Sequence, residues 1–302
     1  MGIARVDVIV VSYNSSAYLR GCVEPFLGND DYEVFVVDNA STDGSLAMVA
    51  DRPITAIQLD TNDGFAHANN VALARATAEF VLFLNPDARI SPEAVQLLAA
   101  SLDSSTRIAA IGPRIVDAGG LLDFSQRRFP RVRSTFARAL FLHHVFPRAP
   151  WSDDIVRDDA AYASIRSSEW LSGACILARR DVLEELGGWD DDFFLYGEDI
   201  DLCMRIWNAG FEVRFDPAAE AVHVGGASAD RSNLTPVLAE SRIRYARKHG
   251  GERTALLVRA GLALETVTRI LAGRGGWRAR AGYVQALKVI LFPPHARRAE
   301  GQ

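Results

Sequence analysis

Residues 6–14 read VDVIVVSYN and residues 33–41 read EVFVVDNAS. Each is a run of β-branched and aromatic residues that stops abruptly at polar ones. That is the pattern of a strand buried on both faces and released into a loop at its carboxyl end. A helical stretch, Ala17–Leu27, lies between them, and the alternation continues through DGSLAMVAD, a strand ITAIQL (Ile54–Leu59), a loop, a helix near Phe65–Ala76 and EFVLFLNPDA (Glu79–Ala88). Strands separated by helices predict an α/β fold with a mostly parallel sheet joined by right-handed crossovers. In such sheets ligands bind beyond the carboxyl ends of the strands. The polar clusters Ser12-Tyr13-Asn14, Asp38-Asn39 and Asn85-Pro86-Asp87 are therefore expected to converge on one crevice.

What is missing narrows the ligand. No G-x-G-x-x-G follows the first strand and no G-x-x-x-x-G-K-[ST] occurs, which removes the dinucleotide fingerprint and the P-loop. A nucleotide held by carboxylates and amides, with a metal on its phosphates, remains open. The chain has 302 residues, 49% of them hydrophobic, enough for one large domain and an appendage. No apolar run reaches the roughly 18 residues of a membrane span, and the first one is too short for a secretion signal, so a cytoplasmic protein is expected. Cys22, Cys175 and Cys203 have no metal-ligand spacing and read as reduced apolar fillers.

The charge is uneven. The net charge is −5, yet from Glu240 onward 13 Arg/Lys face 4 Asp/Glu, a local surplus of +9 against −14 for the rest. An acidic body with a basic, partly apolar tail argues against nucleic acid and for an anionic membrane surface. Between Arg253 and Ala272 the residues Leu257, Ala260, Leu264, Val267 and Leu271 recur at three and four spacing, with Arg259, Glu265 and Arg269 on the other side. A second helix is expected over Trp277–Phe292. These helices fit packing on the body, contact with a partner or second copy, or a membrane surface. Pro113–Glu169 is expected to form loops and one helix over the crevice, Trp170–Ala178 a strand, and FEVRFDP and EAVHVGG two short strands. The domain division expected is 1–228 for the α/β body and 229–302 for the helical tail.

In FLYGEDIDLCMR (Phe194–Arg205), Glu198, Asp199 and Asp201 fall in the first turn of a helix. Acids at a helix start are common. The helix macrodipole there would also keep a carboxylate charged, as a general base requires. Asp201 is placed to pair with Arg205 at i+4.

Taken in order, VIVVSYNSSAYL, VFVVDNASTDGS, NDGFAHANN, FLNPDA, WLSGACILARRDVLEELGGWDDDFFLYGEDIDLCMRIWNAG and VHVGGAS resemble the successive motifs of inverting family 2 glycosyltransferases of GT-A fold, near the bacterial rhamnosyltransferase-like branch. The resemblance covers Val6 to Ser228. It implies that Ser12, Tyr13, Asn14, Asp38, Asn62, Gly64, Phe65, Asn69 and Asp87 bind the nucleotide sugar, with Asp38 reading the base. A carboxylate there suits the imide N–H of uracil or thymine, and the same residue suits an Asx turn. It implies Asp199 as the catalytic base, and Glu198, Trp170, Ser172, Gly173, Trp189, Arg127 and Arg128 on the acceptor side, where the arginines suit a pyrophosphate and the aromatics a sugar ring or the core. Asp87 and His223 would bind Mg²⁺ or Mn²⁺, although NPD stands where many relatives carry D-x-D.

The expected function is transfer of L-rhamnose from dTDP-L-rhamnose to a polyprenyl-diphosphate-linked or saccharide acceptor in cell-wall or surface-polysaccharide synthesis, at the inner face of the plasma membrane. The rivals are a UDP-hexose or galactofuranosyl transferase and a nucleotide-sugar-binding protein without turnover, which the weakened NPD would fit. A nucleotidyltransferase would need a Gly-rich basic loop after the first strand, and SYNSSAYLRG is not one.

Overall fold

Four parallel strands carry the amino-terminal half: β1 (Val6–Ser12), β2 (Tyr32–Asp38), β3 (Thr55–Gln58) and β4 (Phe80–Leu84), in spatial order β3-β2-β1-β4. The structure is a computed structural model, and it describes residues 3–225, 231–273 and 276–292. Side chains alternate between the two faces of each strand. Val6, Val8 and Val10 of β1 join one core while Ile9 and Val11 join the other, and Phe80, Leu82 and Leu84 divide from Val81 and Phe83 in the same way. Both sets are apolar because helices cover both faces: α1 (Leu19–Val23) on the first, α2 (Phe65–Leu73) on the second.

Beyond β4 the sheet becomes mixed. It continues with β5 (Ala88–Ile90), α3 (Pro92–Asp103) and β6 (Ile108–Val116), then the short β7 (Leu122–Asp123) and β8 (Gln126–Arg127). Two helices follow, α4 (Val132–Ala139) and α5 (Leu142–Val145), then β9 (Arg166–Ser167), β10 (Trp170–Leu171), β11 (Cys175–Arg179), α6 (Arg180–Glu185), α7 (Glu198–Asn208) and β12 (Glu212–His223). β11 runs antiparallel between β4 and β6, while β12 pairs parallel with β6 and antiparallel with β5. β8 and β10 form a separate two-stranded ladder that sets Trp170 opposite Arg127. The expected α/β fold with a central sheet is present.

Several segments differ from the sequence reading. Pro113–Glu169 contains the end of a central strand, several short strands and two helices, not loops and one helix. Pro113 lies inside β6, where a missing N–H breaks an ordinary ladder; β12 slips register between Asp216 and Glu220 at that level. The same slip lets one strand, β12, absorb the two short ones expected.

The chain divides into two compact units. The first comprises Met1–Phe129, Ile155–Phe194 and Glu198–Ser228; the second comprises Pro130–Asp154, Leu195–Gly197 and Ala229–Gln302. The helical unit thus takes α4 and α5 as well as the tail that the expected division at 228/229 gave it. It also contains α8 (Arg231–Ala272), broken at Gly251 (φ 74°, ψ 179°), and α9 (Gly276–Leu291). Its apolar core joins Ala255, Val258 and Leu262 to Ala286 and Ile290, and Gly261 lets α8 approach Thr135 of α4 closely enough that a Cβ would lie 2.8 Å away. Beside that core lies a set of ion pairs: Arg138 with Asp153 (3.7 Å) and Glu265 (3.4 Å), Arg242 with Asp154 (3.1 Å), and Arg269 with Glu265 (3.5 Å).

Candidate active site

β1 and β2 end side by side, with Ser12 in register with Asp38. The Asp38 Oδ2 accepts the Ser41 N–H at 3.0 Å, the expected Asx-type turn, but its Oδ1 is buried with no protein partner, and so is the Ser12 Oγ. A buried polar atom left unmet costs about 1–3 kcal/mol, so two together mark a place that a donor-bearing ligand would satisfy. The loops beyond both strands take left-handed backbone, Asn14 at φ 49° and Ala40 at φ 59°, and are tied together: Asn14 N–H donates to Ser41 Oγ, and Thr42 N–H to Asn14 Oδ1, each at 2.9 Å. Tyr13, 40% exposed, lies at this rim.

The neighbouring loop is fixed by Asn39, which the sequence reading left without a role. Its Nδ2 donates to Asn62 Oδ1 (2.8 Å) and to the Gly64 carbonyl (3.2 Å), and its Oδ1 accepts from Asp63 N–H (3.3 Å). Gly64, at φ 98°, opens α2 where a Cβ would stand 2.4 Å from the Phe194 carbonyl oxygen, so the close approach requires glycine. Phe65 N–H then donates to that same carbonyl at 2.9 Å. Asn69 is buried; its amide nitrogen caps the Phe65 carbonyl while its Oδ1 has no protein partner. Asn70, also unassigned from sequence, binds the Trp189 carbonyl and N–H (2.9 Å each) and Asp191 (2.6 Å). The signal for both was present as an asparagine directly beside an expected site residue, Asn39 after Asp38 in DNAS and Asn70 after Asn69 in HANN.

β4 releases Asn85-Pro86-Asp87, and β12 brings His223 opposite Ala88. His223 Nε2 stands 3.3 Å from Asp87 Oδ1 and 3.5 Å from the Asn85 amide nitrogen, and Gly225 N–H donates to Asp87 Oδ2 at 3.1 Å. Burial works against the Asp87 charge, but the His223 contact and the backbone donors outweigh it and hold the carboxyl below its ordinary range. Among the described residues no cluster of three or more His, Cys, Asp and Glu side chains suits a metal. One ionised carboxylate and one imidazole nevertheless fit a Mg²⁺ or Mn²⁺ ion, because such an ion takes its remaining oxygens from substrate phosphates and water.

The acid pair comes to the same rim through β11. Asn85 N–H donates to the Ala174 carbonyl, and the adjacent Gly173 N–H donates to Asp199 Oδ2 at 3.1 Å. A Cβ on Gly173 would meet Asp199 at 3.4 Å. Asp199 is partly exposed, its Oδ1 accepting from Ile200 N–H at 2.9 Å, whereas Glu198 is buried with an Oε2 that has no protein partner. Burial and then the Asp199 charge push the Glu198 carboxyl well above its ordinary range. Burial also raises Asp199, although the Gly173 and Ile200 amides and the Arg127 guanidinium pull it back. Burial thus works against the charge that the helix start and these donors favour. The two environments still differ in the direction that leaves the proton on Glu198. Asp201 is buried and accepts from Arg205 Nε at 2.7 Å, a structural pair.

The remaining acceptor-side residues separate. Trp189 is 2% exposed and packs edge-on against Phe65 (5.6 Å) and Phe83 (4.9 Å), which is the core reading of the two left open for it. Trp170 is half-buried beneath the Arg127 guanidinium at 5.9 Å, with its Nε1–H donated to the Arg128 carbonyl. Arg128 itself donates to the Ile155 carbonyl at 3.1 Å, which turns its expected pyrophosphate contact into a loop tie. Ser172 and Gly173 form the turn into β11, with Ser172 N–H donating to the Ser125 carbonyl.

The sequence profile described as Glycosyl transferase family 2 matches residues 7–187, and the chain belongs to that family. It is a glycosyltransferase. Among curated relatives it is 29% identical over 286 residues to the N-acetylglucosaminyl-diphospho-decaprenol L-rhamnosyltransferase of Mycobacterium tuberculosis, covering 86% of this chain and 91% of that one. It is 28% identical over 233 residues to the rhamnosyltransferase WbbL of Escherichia coli, covering 72% and 83%. The fold is similar to that of a mannosyltransferase from Pyrobaculum calidifontis solved with GDP-Man and Mn²⁺ (TM-score 0.58, 21% identity, 97% of this chain and 82% of that one).

Proposed function

We propose that the chain transfers L-rhamnose, with inversion, from dTDP-L-rhamnose to a hydroxyl of a polyprenyl-diphosphate-linked sugar, with Asp199 as base. The observation that carries this reading is the unequal acid pair. Asp199 faces two backbone donors and Arg127, and buried Glu198 keeps the proton, so one carboxylate is free to accept another. As the acceptor oxygen bonds to the anomeric carbon, its proton passes to Asp199 while the anomeric C–O bond breaks and the diphosphate leaves with the electron pair. Asp38 would accept the imide N–H of the pyrimidine, and Ser12, Tyr13, Asn14, Asn62, Gly64, Phe65 and Asn69 would line the donor site. Asp87 and His223 would hold Mg²⁺ or Mn²⁺, which when bound offsets the charge gathering on the diphosphate.

The names of the two rhamnosyltransferase relatives support the sugar, and the mycobacterial one supports a lipid-linked acceptor. Such an acceptor calls for a peripheral enzyme at the cytoplasmic face of a membrane; no described helix is long and apolar enough to cross one. The test is release of dTDP from dTDP-L-rhamnose beside UDP from UDP-hexoses, with and without Mg²⁺ or Mn²⁺, using the wild type and Asp199→Asn. The variant should lose roughly 10³-fold in turnover with dTDP affinity retained. Full turnover by the variant removes Asp199 from the role. Turnover of UDP-hexoses alone replaces the rhamnosyl reading, and nucleotide binding with no turnover favours a binding protein.

A further inference from the structure

The second half of α8 carries two apolar stripes: Ala255, Val258 and Leu262 are buried in the core of the unit, and a second stripe is turned outward. By spacing, Leu257, Ala260, Leu264, Val267 and Leu271 share one stripe, and a helix on a water-soluble body buries such a stripe. Here Leu257 is 51% exposed, Val267 40% and Leu271 79%, with Leu256 beside them at 57%. The charged side is turned inward: Arg259 donates to the Ile290 carbonyl at 2.7 and 3.0 Å, and Glu265 and Arg269 belong to the ion-pair set. α9 repeats the arrangement, with Ala286 and Ile290 in the core while Val284, Lys288, Leu291 and Phe292 form an outward stripe.

Two totals decide what such a surface meets. Among the described residues, 13 of the 21 exposed large hydrophobic side chains belong to the helical unit, about a third of the chain. The sequence of that unit holds 18 Arg/Lys against 7 Asp/Glu, a surplus of +11. A second copy of the same unit would set +11 against +11. Anionic headgroups over acyl chains match both the charge and the apolar stripe.

We propose that the helical unit docks on an anionic bilayer, with Leu256, Leu257 and Leu271 entering between headgroups and the exposed cations Arg253, Arg280 and Lys288 on the lipid phosphates. The inference extends the reading of a lipid-linked acceptor, but it stands on exposure and charge alone. The test is flotation of the full chain with vesicles of phosphatidylcholine, with and without phosphatidylglycerol, comparing wild type with Leu257→Glu/Leu271→Glu. Both positions are open to solvent, so the fold should be unchanged, which helicity and dTDP binding verify.

Wild type should float with the anionic vesicles, far less with phosphatidylcholine alone, and less at high salt; the double variant should lose about tenfold or more in partitioning. Equal flotation of variant and wild type overturns the proposal. So does a wild type that ignores vesicles and forms a dimer that the variant dissociates. Failure to float with dTDP binding and turnover intact removes the docking face alone, whereas loss of nucleotide binding bears on the glycosyl-transfer reading instead.

Discussion

Glu198 and Asp199 are adjacent in sequence and differ in what touches them. Two backbone N–H groups and the Arg127 charge favour ionised Asp199, while buried Glu198 has an oxygen with no protein partner. If Asp199 must be ionised to accept the acceptor proton, turnover should fall as the pH drops through a value above the ordinary aspartate range, because burial raises it. Arg127→Gln removes a charge that lowers that value, so the acidic limb of the kcat profile should move to higher pH. An unmoved limb assigns it to another group. The sequence disclosed which acids open the helix, and the macrodipole argument followed from that. Neither the desolvation nor the Gly173 N–H that offsets it was legible, because both come from residues distant in sequence that meet Asp199 only in the fold.

At the scale of elements, the Asn39–Gly64–Phe194 contacts join the loop after β2, the start of α2 and the segment leading to α7. Gly64→Ala would place a methyl group against the Phe194 carbonyl at positive φ. It should lower unfolding free energy by about 2 kcal/mol or more and weaken nucleotide binding; urea denaturation and calorimetry measure the two effects. A variant as stable as the wild type would show that this segment yields without cost. The parallel strands were legible because they are dominated by apolar residues on both faces, which helices cover. β6 was not, since IAAIGPRIV carries the Gly-Pro that normally ends a strand, and only the register slip in β12 accommodates it. Most of the candidate donor side was legible at strand ends; Trp189 kept two readings, sugar ring or core, and Arg128 a functional one beside a loop, because core packing and a carbonyl partner cannot be seen from residue type.

Over the whole molecule, charge is sorted: the α/β unit carries −16 and the helical unit +11. Inside the helical unit Asp153, Asp154 and Glu265 are each paired with arginine. Burial opposes the Glu265 charge, yet Arg138, Arg242 and Arg269 overcome it and hold its carboxyl below the ordinary range. A depressed folded-state pKa stabilises above the unfolded value and is lost as the pH falls through the folded one. Melting of the helical unit should therefore be insensitive to this group near neutrality and should weaken only below the ordinary glutamate range. Glu265→Gln strands guanidinium charge in a buried site and should cost about 3 kcal/mol at neutral pH, read by thermal or urea denaturation. A loss under about 0.5 kcal/mol would mean that the arginines reach solvent when the partner is gone.

Asp153 and Asp154, which pair with Arg138 and Arg242, belong to a stretch of chain well before the one that supplies Arg242 and Glu265. The helical unit is thus built from stretches far apart in the chain, and removing the later one would not remove the earlier. A chain shortened before Arg242 would keep the Arg138–Asp153 pair and leave Asp154 without its Arg242 partner.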